Sequence, residues 1–123
     1  MNPLPVEIAT EIFVPLDRVR PGTIDRALAA ISKAGCRIEG YAAMGGVLHV
    51  LTDDRSASRA ALAAAGFAPR EAEVLVLEVV GRPGIAQRVF RRIADAHVHE
   101  NFSYVASGNR LVIGVNETFA SAA

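Results

Sequence analysis

The sequence predicts an α+β protein made of two fused, ferredoxin-like β-α-β-β-α-β units. The second unit is expected to be truncated, lacking its last strand, with antiparallel sheets carrying helices on one face. Three observations lead there. Apolar residues alternate at period two and then at period 3.6, in the order such a unit requires. The tripeptide Arg-Pro-Gly occurs twice, as Arg20-Pro21-Gly22 and Arg82-Pro83-Gly84, each time between a strand-like and a helix-like run. The repeat extends beyond the tripeptide. At an offset of 62, Arg26 maps to Arg88, Ile31 to Ile93 and Ala34 to Ala96; after one inserted residue, Tyr41 maps to Tyr104, Gly45 to Gly108 and Leu48 to Leu111. This period is too long for a solenoid repeat and fits a duplicated small domain. The expected domains are residues 6–73 and 74–123, with no linker between them.

In chain order, residues 6–16 read as a strand. Ile8, Thr10, Ile12, Val14 and Leu16 alternate with Glu7, Ala9, Glu11, Phe13 and Pro15. Pro15 lacks an N–H, so pairing is expected to weaken there. A loop follows, then a helix over 23–34 with Ile24, Leu28 and Ile31 on one face and Gly35 at the C′ position. Residues 36–43 and 47–51 read as a hairpin around Gly45-Gly46. Asp53 or Asp54 caps an alanine-rich helix closed by Gly66, and 67–73 returns as a strand made doubtful by Pro69.

The second copy begins at once. Residues 74–80 are apolar on both faces and are expected to form a buried central strand. Ile85, Val89 and Ile93 give the next helix face; 98–106 and 110–115 give a hairpin around Gly108-Asn109. Residues 116–123 supply a turn or two of helix and no fourth strand. Two half-units that complete each other are therefore expected.

Composition removes several classes. Hydrophobic residues at 51% and charged ones at 21% belong to a core-forming chain of 123 residues. A formal net charge of zero argues against a nucleic-acid partner, which calls for a basic surplus. The single Cys36 forms no intramolecular disulfide, and no signal peptide or bilayer-length apolar run is read, so a cytoplasmic protein with no membrane partner is expected.

At each Arg-Pro-Gly three features meet. Proline is accommodated at a helix start, glycine permits close backbone approach, and the open N–H groups of the first turn favour an anion. A carboxylate suits such a pocket, with Arg18, Arg20 or Arg82 adding a charge-assisted bond. Against this, Pro-Gly is a common tight turn, and duplication alone would preserve both copies.

Strand, Arg-Pro-Gly, helix ending Ala-Gly, Ile-Glu-Gly-Tyr-Ala-Ala from Ile38, a glycine turn and Val-Leu-His-Val-Leu together resemble an ACT domain. Gly81-Arg82-Pro83-Gly84 and Phe-Ser-Tyr-Val-Ala from Phe102 continue the likeness, and the whole chain is similar to small stand-alone bacterial tandem-ACT proteins. The resemblance implies a non-enzymatic regulatory module, without a cofactor, that binds a free amino acid. It also implies a homodimer read by a partner enzyme or regulator. The implied site lies at the β1–α1 loops, where one domain faces another. In the first copy that loop is Asp17, Arg18, Val19, Arg20, Pro21, Gly22 and Thr23. In the second it is Val80, Gly81, Arg82, Pro83, Gly84 and Ile85. At the start of the second strand the family often carries Asn; here Arg37 and His99 stand there, with Asn101 nearby. The ligand carboxylate would sit on the helix starts around Gly22 and Gly84, its ammonium on Asp17 or backbone carbonyls.

Other candidates are weaker. His97, His99 and Glu100 fall short of the three or four convergent ligands a transition metal needs, and His97 stands where the first copy has its C′ glycine. His49 reads as a partly buried surface or interface residue, Cys36 as a small hydrophobe, and Tyr41 and Tyr104 as packing residues. No hydrolase constellation or phosphate loop is present at a telling spacing. Aromatic content of 6% is low for an RNA-stacking sheet. The alternative is a ligand-free oligomerisation or adaptor module, for which Val47 and Leu51 would supply an apolar sheet face.

Overall fold

The computed structural model describes residues 6–16, 20–79, 81 and 83–115. Six antiparallel strands and three helices form among them: β1 (Val6–Pro15), α1 (Thr23–Lys33), β2 (Ile38–Met44), β3 (Val47–Thr52), α2 (Arg55–Ala64), β4 (Arg70–Glu78), α3 (Ile85–Asp95), β5 (Glu100–Ala106) and β6 (Arg110–Val115). The chain folds as two compact units, Thr10–Ala72 on the one hand and Met1–Ala9 with Glu73–Ala123 on the other.

In the unit Thr10–Ala72 the strands run in the order β2-β3-β1. Ile12 faces Val50 and Val14 faces Leu48 across β1 and β3. Those four side chains meet Ala27 and Ile31 of α1 and Leu62 of α2, all essentially inaccessible, so both helices cover one sheet face. Cys36 packs at the rim of this core, as its small apolar character requires. The β2–β3 hairpin turns through Gly45 and Gly46 at φ 60° and 75°, the two left-handed positions of a two-residue type I′ loop. Pairing does not fade at Pro15. It stays opposite Val47, and the next N–H, of Leu16, donates to the Gly46 carbonyl at 2.8 Å.

In the other unit β4, β6 and β5 are neighbours in that order. Leu77 of β4 and Ile113 and Val115 of β6 receive Ile85, Val89 and Ile93 from α3. Val6, at the start of β1, packs against the same cluster. Val74, Val76 and Leu77 are all buried, so β4 is covered on both faces as its unbroken apolar run predicts. The returning segment and the first strand of the second copy are one continuous element. Pro69, the residue before Arg70, precedes that strand and does not interrupt it.

The three helices end alike. The C″ N–H bonds back to the C3 carbonyl (Cys36 to Ile31, Phe67 to Leu62, Val98 to Ile93), and the C′ N–H bonds to C2 (Gly35 to Ser32, Gly66 to Ala63, His97 to Ala94). The C′ residue is left-handed in each: Gly35 at φ 83°, Gly66 at 93° and His97 at 59°.

Two expectations about the sheet face away from α1 and α2 are corrected. Leu51 is only 4% exposed and Val47 half-buried, so they offer no open apolar face to an adaptor partner. His49 is not a surface residue: it is buried, and its Nδ1 lies 2.7 Å from Oε2 of Glu11, a carboxylate that is 1% exposed.

Candidate functional site: the Arg-Pro-Gly helix starts

The first Arg-Pro-Gly is a defined turn. The Thr23 N–H donates to the Arg20 carbonyl at 3.0 Å, closing a four-residue β-turn with Pro21 and Gly22 at its centre. Gly22 has φ 87° and ψ −1°, the values of the third residue of a type II turn. Proline suits the second position and glycine the third, which accounts for the dipeptide by backbone geometry alone. The Arg20 N–H donates to Oγ1 of the buried Thr23 at 3.1 Å and locks the turn onto the helix. Gly84 repeats the conformation at φ 77° and ψ 1°, with Ile85 in place of Thr23.

Both glycines are helix N-caps, and neither helix has a side-chain cap. α2 differs, since Asp54 Oδ1 accepts from the Ala57 N–H at 3.0 Å. In α1 the first intrahelical bond runs from the Arg26 N–H to the Gly22 carbonyl, and in α3 from Arg88 to Gly84. Among the described residues nothing accepts from the N–H groups of Ile24 and Asp25, or of Ala86 and Gln87. These pairs are the open donors at the two helix starts, where the positive end of the dipole lies. A Cβ on Gly22 or Gly84 would meet no heavy atom within 4 Å, so both turns border open space.

The two starts differ in charge. α1 carries Asp25 in its first turn, and α3 has no acidic residue there. Asp25 already answers the dipole of α1. Asp25 lies outside the repeated tripeptide, and its counterpart at the offset of 62 is Gln87, so the repeat does not single it out.

The remaining site candidates separate. Arg20, Pro21, Gly22 and Thr23 lie together at the start of α1, and Gly81, Pro83, Gly84 and Ile85 at that of α3. Asp17, Arg18, Val19, Val80 and Arg82 lie outside the described residues. Arg37 follows the C-terminal end of α1, about 16 Å along the helix from Gly22 at 1.5 Å per residue. Its N–H donates to Asp53 Oδ1 at 2.8 Å and its carbonyl accepts from the Asp53 N–H at 3.1 Å. His99 and Asn101 stand at the corresponding place in the other unit, and Asn101 Nδ2 donates to the Val115 carbonyl at 3.1 Å. Within each unit, therefore, these residues sit at the opposite end of the helix from the Arg-Pro-Gly turn. No group of three or more potential metal ligands occurs among the described residues. No helix among them is long and apolar enough to cross a membrane.

No family model matches the sequence, and no curated protein matches it. Solved structures do. Protein BT0572 from Bacteroides thetaiotaomicron superposes with a TM-score of 0.64 at 19% identity, over 91% of this chain and 81% of that one. The ligand-free regulatory subunit of aspartate kinase from Thermus thermophilus gives 0.59 at 14% identity, over 95% and 89%. Aspartokinase III of E. coli, in complex with lysine and aspartate, gives 0.54 at 11% identity, over 90% of this chain and 28% of that one. The chain accordingly has an α+β fold similar to that of the regulatory subunit of aspartate kinase.

Proposed function

We propose that this chain is a non-enzymatic regulatory module of ACT type, built of two repeats (6–73 and 74–123), that binds a free amino acid at its Arg-Pro-Gly helix starts. The observation that carries the reading is the pair of glycine N-caps without side-chain caps, each leaving two N–H donors beside open space. A carboxylate accepts from such donors and is favoured by the helix dipole. The likeness to aspartate kinase regulatory subunits supports the regulatory role, and the lysine and aspartate in the E. coli enzyme support the ligand class. If one turn binds more tightly it is the second, because no carboxylate occupies the first turn of α3. The module acts as a homodimer whose state a partner enzyme or regulator reads.

Thermal-shift screening with the twenty amino acids tests this, since a ligand selective for the folded state raises the melting temperature by mass action. One or a few amino acids at millimolar concentration are expected to raise it. Gly84→Ala projects a methyl group into the open space at the turn and is expected to remove most of the shift; Gly22→Ala is expected to remove less. Absence of a shift with every amino acid, or a shift untouched by both substitutions, would overturn the proposal. Sedimentation at micromolar concentration tests the dimer separately.

A further inference from the structure

The chain does not pass between its two units through loops. It changes unit between Ala9 and Thr10, and again between Ala72 and Glu73. Both places lie inside a strand, since β1 runs from Val6 to Pro15 and β4 from Arg70 to Glu78. Linkers between separable domains are exposed, flexible segments that few contacts cross. Here both crossings are regular β-structure.

Each crossing strand is held at its two ends by different cores. At its start β1 gives Val6 to the cluster around α3; further on it gives Ile12 and Val14 to the cluster around α1. β4 is held in the opposite sense. Its Glu71 accepts from Arg55 Nε at 2.9 Å and from Arg59 Nη1 at 2.8 Å, both on α2, and Leu77 then enters the core around α3. β1 thus begins in the core around α3 and leads to α1, while β4 begins beside α2 and leads to α3. Opening of the core around α3 would take from β1 the seat of Val6 and from β4 its pairing with β6, which spans Leu75–Glu78. Only the ion pairs of Glu71 would then hold β4, and their arginines are about half exposed, at 52% and 53%. Pairs so open to solvent stabilise little by themselves.

We infer that β1 and β4 couple the two units, so that a gain or loss of order in either core is passed to the other. A ligand or partner that binds one unit therefore protects both. Contiguous motifs commonly open one at a time; the crossed strands suppress such independent opening of the two repeats. The coupling does not depend on the amino-acid site, and the two can fail separately.

Native-state hydrogen exchange of the full chain, read by mass spectrometry on peptides from α1 and α3, tests the coupling. Ile113→Val trims the core around α3 by one methylene, and Ile31→Val trims the core around α1. Each is expected to speed exchange of the slowest amides by roughly two- to tenfold. Coupling makes the slowest amides of both helices speed up by the same factor in either variant. Two glycines inserted between Ala9 and Thr10, and two between Ala72 and Glu73, make the crossings flexible while keeping the alternation of side chains. In that background each substitution is expected to change only the helix of its own core. Acceleration confined to the substituted unit in the chain without insertions would overturn the inference. So would equal acceleration of both helices that persists with both insertions present. The first comparison needs no insertion, so it stands as a test even where the inserted chain does not fold.

Discussion

Glu11 and His49 form a buried pair across β1 and β3, Oε2 to Nδ1 at 2.7 Å, with side chains 1% and 10% exposed. They lie on the sheet face opposite the one α1 and α2 cover. Removing one member of such a pair takes a buried hydrogen-bond partner from the other, whereas replacing both with apolar side chains is often neutral. Glu11→Leu and His49→Leu are each expected to destabilise by about 3 kcal/mol. The double variant is expected to cost less than the sum, by at least about 1 kcal/mol. Urea denaturation of the four proteins in the cycle measures the coupling.

His97 holds a left-handed backbone that glycine holds in the other two helix ends. A non-glycine residue there costs about 1 kcal/mol, so His97→Gly is expected to raise stability by roughly that amount. Gly35→Ala and Gly66→Ala are expected to lower it by a similar amount. Chemical denaturation with an unchanged m-value would identify the effect as one on stability.

Gly114 is opposite Phe102 across β5 and β6, and a Cβ on Gly114 would run into the Phe102 ring. That ring stacks on Tyr104 with centroids 6.1 Å apart and planes 9° from parallel. Gly114→Ala is expected to destabilise by about 1–3 kcal/mol, as overpacking does. In the background of Phe102→Leu, where the ring is gone, the same substitution is expected to cost distinctly less. Thermal melts of the two single variants and the double decide it.

Asp54 is the one side-chain N-cap of the three helices, and its loss leaves the Ala57 N–H unsatisfied. Asp54→Ala is expected to cost about 1 kcal/mol, and Asp54→Asn much less. The helical signal in circular dichroism, followed through urea, separates the two.

Much of this was legible in the residues. Ile24, Leu28 and Ile31 marked α1, the glycine pair at 45 and 46 marked the hairpin, and His97 marked a helix end by standing where Gly35 stands in the repeat. Glu11 was not legible. Alternation placed it with Glu7 on the polar face of β1, and only the tertiary fold brings it beside His49 and buries it. The repeat starts its second copy at Val74 and so divides β4 there, although the strand runs unbroken from Arg70 to Glu78; Pro69, immediately before it, removes no ladder bond. The Arg-Pro-Gly turns were recognised as helix starts. Their type II geometry and the acid in the first turn of α1 depend on backbone angles and neighbours that a tripeptide does not specify.

Val6 has a consequence for how the protein is made. It precedes Leu77 by 71 residues and Ile113 by 107, yet it joins the cluster that contains both. Contacts of such long sequence separation slow folding because a long loop must close first. The start of β1 must therefore stay available while the intervening chain is translated. The core around α3 is thus completed late in folding, and only if the strand start at Val6 has not engaged elsewhere.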